Sequence, residues 1–247
     1  MKDRVFNSLL IKLIVGLILI LYILFLYMDF YNVKTIITSE SIKYLCILLC
    51  FLISILSTKN LHVDKVNDVD TQLLKLGLFI TIIADLCLVI LDFYIFGVVF
   101  FTLVQIIYCV RYTNKNIKKT LINLFTIFLF IVFTYAIVIL FIEGINILLP
   151  ISLFYVICLL SSVIKAIKAS NNNLYTPKSK YMILLGMVLF LLCDTCVAFS
   201  NITILFPLSG YIMTRFQSIA YFLIWVFYLP SQLLLALSGN GRIPKNF

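Results

Sequence analysis

Apolar positions in this chain run on for lengths that strands and most soluble helices do not reach. Residues 9–26, 121–142 and 181–199 each supply about 20 mostly apolar side chains. At ~1.5 Å per residue, that is enough for one helix to cross a hydrocarbon layer of ~30 Å. The runs also lack the alternation of polar and apolar residues expected of a membrane barrel strand. Short polar stretches separate them and predict eight helices, at 7–29, 42–57, 73–91, 95–112, 121–141, 147–167, 180–199 and 211–236. The expected fold class is therefore all-α integral membrane, one transmembrane domain over residues 1–247. The first run follows Lys2 and Arg4 as a secretory signal does. It is long and lacks a small-x-small cleavage pattern, so it reads as a retained helix.

Composition agrees with the pattern: 64% of residues are hydrophobic and 12% charged, about half the charged share of soluble domains. The net charge of +9 takes its meaning from where the basic residues fall. With the N-terminus placed in the cytoplasm, all of the 19 except Lys34, Lys43 and Arg215 lie on the cytoplasmic side. A miscounted helix would scramble that partition. The asymmetry therefore supports eight crossings with both termini cytoplasmic; the plasma membrane is the expected location. The positive charge then rests against anionic lipid and requires no nucleic-acid partner. All seven cysteines fall inside apolar segments, where a thiol packs as a small hydrophobe and implies no disulfide framework.

Two carboxylates stand out, because an aspartate at membrane depth costs at least ~2.5–3.5 kcal/mol on insertion scales. Asp85 and Asp194 each lie about six residues from the outer end of a predicted helix, roughly 9 Å below the boundary. They occupy one depth and are expected to share one cavity. Leu76-Gly77 precedes Asp85 as Leu185-Gly186 precedes Asp194, and Cys87 and Cys196 follow at equal spacing. This echo suggests two parallel four-helix halves. Asp92 and Glu143 fall at helix ends and read as solvated boundary residues.

Polar stripes at helical spacing supply candidate walls for the cavity. Helix 8 carries Tyr211, Thr214, Ser218, Tyr221, Trp225, Tyr228 and Gln232. Helix 4 carries Thr102, Gln105 and Tyr108, helix 6 carries Ser152, Tyr155 and Ser162, and helix 2 carries Lys43 at its outer end. Interhelical bonding is the simpler reading of any single one of them. Pro230 predicts a kink in helix 8.

The only histidine, His62, falls in a cytoplasmic loop among Asp64, Asp68 and Asp70. A histidine-ligated zinc site or a Ser-His-Asp triad therefore has no material within the membrane. Glycine-rich phosphate loops are absent as well. Intramembrane chemistry here rests on carboxylates, supported by tyrosine, lysine or arginine, with no metal or cofactor expected.

Three stretches resemble the YhhN-like lysoplasmalogenases, eight-helix membrane proteins, and the resemblance spans helices 2 to 8. The first is Gly77 to Tyr112, with Asp85, Leu91-Asp92, Gly97, Phe100-Phe101 and Tyr108. The second runs from Leu185-Gly186 to Cys193-Asp194, and the third from Tyr228 through Gln232-Leu233 to Ser238. Lys43 falls where the family often has Lys-Pro, although Tyr44 replaces the proline. Gln105 stands where a histidine is expected. The resemblance implies hydrolysis of the vinyl ether bond of a lysophospholipid held within the bilayer. Asp85 and Asp194 would be catalytic. Lys43, Gln105, Tyr108, Tyr155, Arg215, Tyr228 and Gln232 would bind substrate, with Lys43 and Arg215 near the phosphate. A proton-coupled transporter built on the same aspartate pair and a non-catalytic scaffold are the alternatives.

Overall fold

The computed structural model describes residues 2–33, 36–58, 65–113, 116–142, 144–172, 174–201 and 211–239. It contains α1 (Lys2–Tyr31), α2 (Ser39–Thr58), α3 (Lys65–Asp85), α4 (Tyr94–Arg111), α5 (Ile117–Phe141), α6 (Leu148–Asn171), α7 (Pro177–Ser200) and α8 (Tyr211–Leu237). All eight are long and apolar enough to cross a membrane, as the apolar runs predict. The largest boundary difference is in α3, which starts at Lys65, eight residues before the expected 73. Its first two turns are polar, so hydropathy marks where the helix enters the membrane and not where it begins.

Six helices close on one another. Each of α2, α3, α4, α6, α7 and α8 packs against the next, and α8 returns to α2. α1 lies outside this ring against α2 and α8, and α5 lies outside against α6 and α4. Both outer helices expose large apolar side chains, among them Ile20, Ile23, Phe130 and Phe133. Continuous apolar surface of this kind has lipid as its natural solvent. Among the described residues, no Cα of α4 comes within 8 Å of one in α7 or α8, so large side chains bridge the ring's interior.

Close packing elsewhere depends on small residues. A Cβ on Gly186 would meet Leu235 at 3.0 Å and the Ser231 carbonyl at 3.3 Å. The Ser231 hydroxyl in turn donates to the Gly186 carbonyl at 2.8 Å. This draws α7 onto α8 as small residues do in membrane helix pairs. Gly77 makes the corresponding contact between α3 and α4, where a Cβ would lie 2.7 Å from the Tyr108 ring. In both cases the glycine eight residues before the aspartate receives a side chain of the following helix.

Pro230 lies inside α8, which continues through it to Leu237. Proline has no N–H for the carbonyl four residues back, and the Val226 carbonyl instead accepts the Tyr22 hydroxyl at 2.9 Å. The lost rung of α8 thereby becomes a tie to α1.

The face where α1 begins and α8 ends, here the terminal face, carries a buried ionic cluster that changes the reading of Asp70. This residue does not share a solvated loop with His62. His62 and Asp64 lie outside the described residues, and Asp70 is fully buried in α3. Arg111 Nη2 lies 3.2 Å from Asp70 Oδ2, and the Tyr175 hydroxyl donates to Asp70 Oδ1 at 2.6 Å. Arg111 also donates to Ser238 Oγ at 3.2 Å. One guanidinium thus joins α3, α4, the α6–α7 connection and the end of α8. Burial holds the Tyr175 phenol well above its ordinary range and pushes Tyr112 up to about 12. Both therefore remain neutral at ordinary pH, and Tyr175 stays a donor to Asp70.

Candidate active site

Asp85 ends the regular part of α3 and is followed by a π-helical turn, Leu86–Ile90. Such turns widen the helix and occur frequently at functional sites. The turn is held against α4, where a Cβ on Gly97 would fall 2.3 Å from Leu88 Cγ. Asp85 is buried at 3% exposure, and its Oδ2 accepts the Tyr228 hydroxyl at 2.7 Å. Tyr228 in turn packs edge-on against Phe101, Phe190 and Trp225, with ring centroids 6.1, 5.9 and 5.3 Å away. The first carboxylate thus has one phenol donor inside an aromatic wall built by α4, α7 and α8.

Asp194 occupies a different setting. It sits where α6 meets α7, accepts the Tyr155 hydroxyl at 2.5 Å, and is only partly buried. Phe190, one turn before Asp194 on α7, packs against Tyr228 with ring centroids 5.9 Å apart, and Tyr228 is the partner of Asp85. Each aspartate therefore has its own tyrosine from another helix, and both pairs belong to one neighbourhood of the ring.

Lys43 does not extend to the membrane boundary as an available cation. It is 1% exposed and forms an ion pair with Asp29 Oδ2 at 2.9 Å, while Asp29 also accepts the Ser39 hydroxyl. The ammonium lies 5.1 Å from the Trp225 ring centroid and 5.8 Å from that of Phe25, a cation–π arrangement. Through Trp225 and Tyr228 the lysine is two side chains away from Asp85. Asp29 was not anticipated. The available signal was an acid at the end of one apolar run and a base near the start of the next.

The remaining expected residues divide. Gln105 is fully buried, and its Oε1 lies 2.7 Å from Ser162 Oγ. Gln232 is fully buried one turn below Tyr228. Tyr108 is buried as well, but it stacks on Tyr112 at 5.9 Å and lies nearer the terminal face than the aspartates. Arg215 is exposed near the start of α8, away from both carboxylates. Of the long stripe on α8, Thr214, Ser218 and Tyr221 are exposed, whereas Trp225, Tyr228 and Gln232 face inward. The Tyr211 side chain lies outside the described residues. Thr102 is buried but donates to the Val98 carbonyl of its own helix at 2.8 Å. Asp92 is exposed, with φ +56° at the end of the π-helical turn, as expected of a boundary residue. Glu143 lies outside the described residues.

No curated protein and no solved structure matches this chain significantly. The YhhN family model matches residues 39–239. That interval runs from the first residue of α2 past the end of α8 and includes both aspartate–tyrosine pairs, the ring that holds them and the two packing glycines. This multi-pass helical chain belongs to the YhhN family.

Proposed function

We propose that the protein is a lysoplasmalogenase-like hydrolase, which splits the vinyl ether bond of a lysophospholipid into a fatty aldehyde and a glycerophospho-alcohol. The observation that carries this reading is the pair of intramembrane carboxylates, each hydrogen-bonded to a tyrosine from another helix. Family membership supports it. We propose that both termini lie in the cytoplasm, on the strength of the basic-residue partition, and that the membrane is the plasma membrane.

The chemistry requires one acid, one anion and water. A carboxylic acid delivers its proton to the vinyl carbon remote from oxygen, and the C=C electron pair forms the new C–H bond. The other vinyl carbon becomes an oxocarbenium ion, stabilised by the ionised carboxylate. Water adds an oxygen lone pair to that carbon and loses a proton to the ionised carboxylate. In the resulting hemiacetal, the hydroxyl proton returns to the first aspartate as the aldehyde C=O forms. The C–O bond to glycerol breaks, and the second aspartate protonates the leaving oxygen. Both groups finish as they began. Unequal surroundings are what such a division of duties requires, and the buried Asp85 and partly exposed Asp194 have them. Asp194, the more exposed of the two, marks the side from which an alkenyl chain would enter from the bilayer.

The direct test is aldehyde release from lysoplasmalogens of several head groups by the purified protein in detergent. Aldehyde should appear with the vinyl ether substrates and not with saturated ether analogues, which have no double bond to protonate. Failure of every vinyl ether substrate would remove the hydrolase reading and leave proton-coupled transport through the same carboxylates to be assayed.

A further inference from the structure

The polar interior continues beyond the aspartates. α4 and α8 both run toward the terminal face and touch through Phe101 and Tyr228. One turn further along each helix, ~6 Å on and on the same face, stand Gln105 and Gln232, both fully buried. Ten residues beyond the aromatic contact, about 15 Å by helical rise, Arg111 meets Ser238 and closes the interval. Between these limits the two backbones stay more than 8 Å apart, so only side chains occupy the gap.

Four polar atoms in this layer have no hydrogen-bond partner among the described groups: Gln232 Oε1, Gln232 Nε2, Gln105 Nε2 and the Tyr108 hydroxyl. The other end of the Gln105 amide already meets Ser162. Tyr108 is held in position by Gly77, whose missing Cβ makes room for its ring. Buried amides persist where their donors and acceptors are met, and a buried water needs two to four such partners. The set offers donors and acceptors but no charge, which suits water better than a phosphate or an ammonium.

Resting on the hydrolase reading, we propose that this layer is a water-binding chamber that holds the water consumed in the reaction. Gln232 is its principal ligand, and Gln105 and Tyr108 complete it. The chamber adjoins the chemistry: Gln105 is bonded to Ser162, which stands two turns along the same face of α6 from Tyr155, ~10 Å away, and the Tyr155 hydroxyl donates to Asp194. Water passing from the glutamines toward Tyr155 arrives beside a carboxylate able to take its proton as the new C–O bond forms. The Asp70–Arg111 cluster separates this water from the terminal face.

Synchrotron X-ray footprinting reads bound water directly, because hydroxyl radicals born from it oxidise adjacent side chains that bulk radicals cannot reach. In wild type, Tyr108 should be oxidised at least about fivefold faster than Phe25, which is equally buried but lies in the Lys43 aromatic pocket. Gln232→Leu should abolish that excess and lower kcat on the order of tenfold, with KM changed less than about twofold. Gln105→Leu, with one chamber atom removed, should give a smaller loss of both and serves if the first variant does not fold. Tyr108 oxidised no faster than Phe25 in wild type, or an unchanged excess in both variants, overturns the chamber. A footprint that vanishes in Gln232→Leu, in a protein that releases no aldehyde, keeps the chamber and removes the hydrolase reading.

Discussion

Asp85 and Tyr228 are separated by 143 residues in the chain and by 2.7 Å in the structure. Asp194 finds Tyr155 across 39 residues. The two phenols come from different helices, so each carboxylate is oriented by a part of the ring that its own helix does not control.

The first prediction concerns the acids themselves. Asp85→Asn and Asp194→Asn keep size and hydrogen-bonding capacity but supply neither a transferable carboxyl proton nor a negative charge. Each should lower aldehyde turnover on the order of 10²-fold or more. The comparison is of kcat for wild type and both variants, each shown to be inserted and monodisperse. A near-normal rate in either variant contradicts the two-carboxylate mechanism.

The tyrosines should behave as positioning groups. Tyr228→Phe and Tyr155→Phe retain the ring and remove one hydrogen bond to a carboxyl, worth about 1.5–3 kcal/mol when the acceptor is charged. Turnover should fall roughly 10- to 100-fold, while unfolding stability falls by less, because the aromatic contacts of Tyr228 remain. An equal loss of stability and activity would instead mark the tyrosines as purely structural.

The Lys43–Asp29 pair is open to a double-mutant cycle. Lys43→Met leaves Asp29 without its cation in a largely buried position, and unfolding stability should drop by about 3 kcal/mol. Adding Asp29→Asn should recover most of that loss, since neither charge then requires a partner. Additive losses in the double variant would show that the pair does not act as a unit. If Lys43 also anchors the phosphate, the rescued double variant should fold normally and still show a raised KM.

The terminal-face cluster predicts an alkaline limit. Tyr175 and Tyr112 keep their protons in the native state beyond the pH at which an unfolded tyrosine ionises, near 10. Above that pH the native state binds more protons than the unfolded one, so stability falls as pH rises. The expected slope is up to ~1.4 kcal/mol per pH unit for each phenol. Tyr175→Phe should remove one share of the slope between pH 10 and 12 in detergent melts. It also deletes the donor to Asp70. An unchanged slope would mean that Tyr175 ionises in place.

Orientation follows from the charge partition. In a background free of the native cysteines, an impermeant thiol reagent added outside cells should label Asn201→Cys and spare Lys118→Cys. The reverse pattern would invert the bundle and place the Lys43–Asp29 end at the cytoplasm.

Membrane insertion is governed locally, one apolar segment at a time, and this explains how much of the protein was legible before its fold. Eight crossings, the single all-helical class and two unusual carboxylates all follow from residues read in order. The glycines eight residues before each aspartate could be picked out too, although what they touch could not. Contact between helices is another matter, because in lipid the apolar faces of all eight are nearly equivalent and do not specify neighbours. Only the closed ring decided that Tyr228 would meet Asp85, that Tyr155 would meet Asp194, and that half of the polar stripe on α8 would face outward. The same holds for the charges. Lys43 read as a residue of a helix end, Asp70 as a loop residue and Arg111 as one more cytoplasmic-side charge, because hydropathy places a charged side chain near water by default. The structure buries all three because each has an opposite charge within 3.2 Å on another helix, and an ion pair offsets a desolvation cost that a lone charge could not bear.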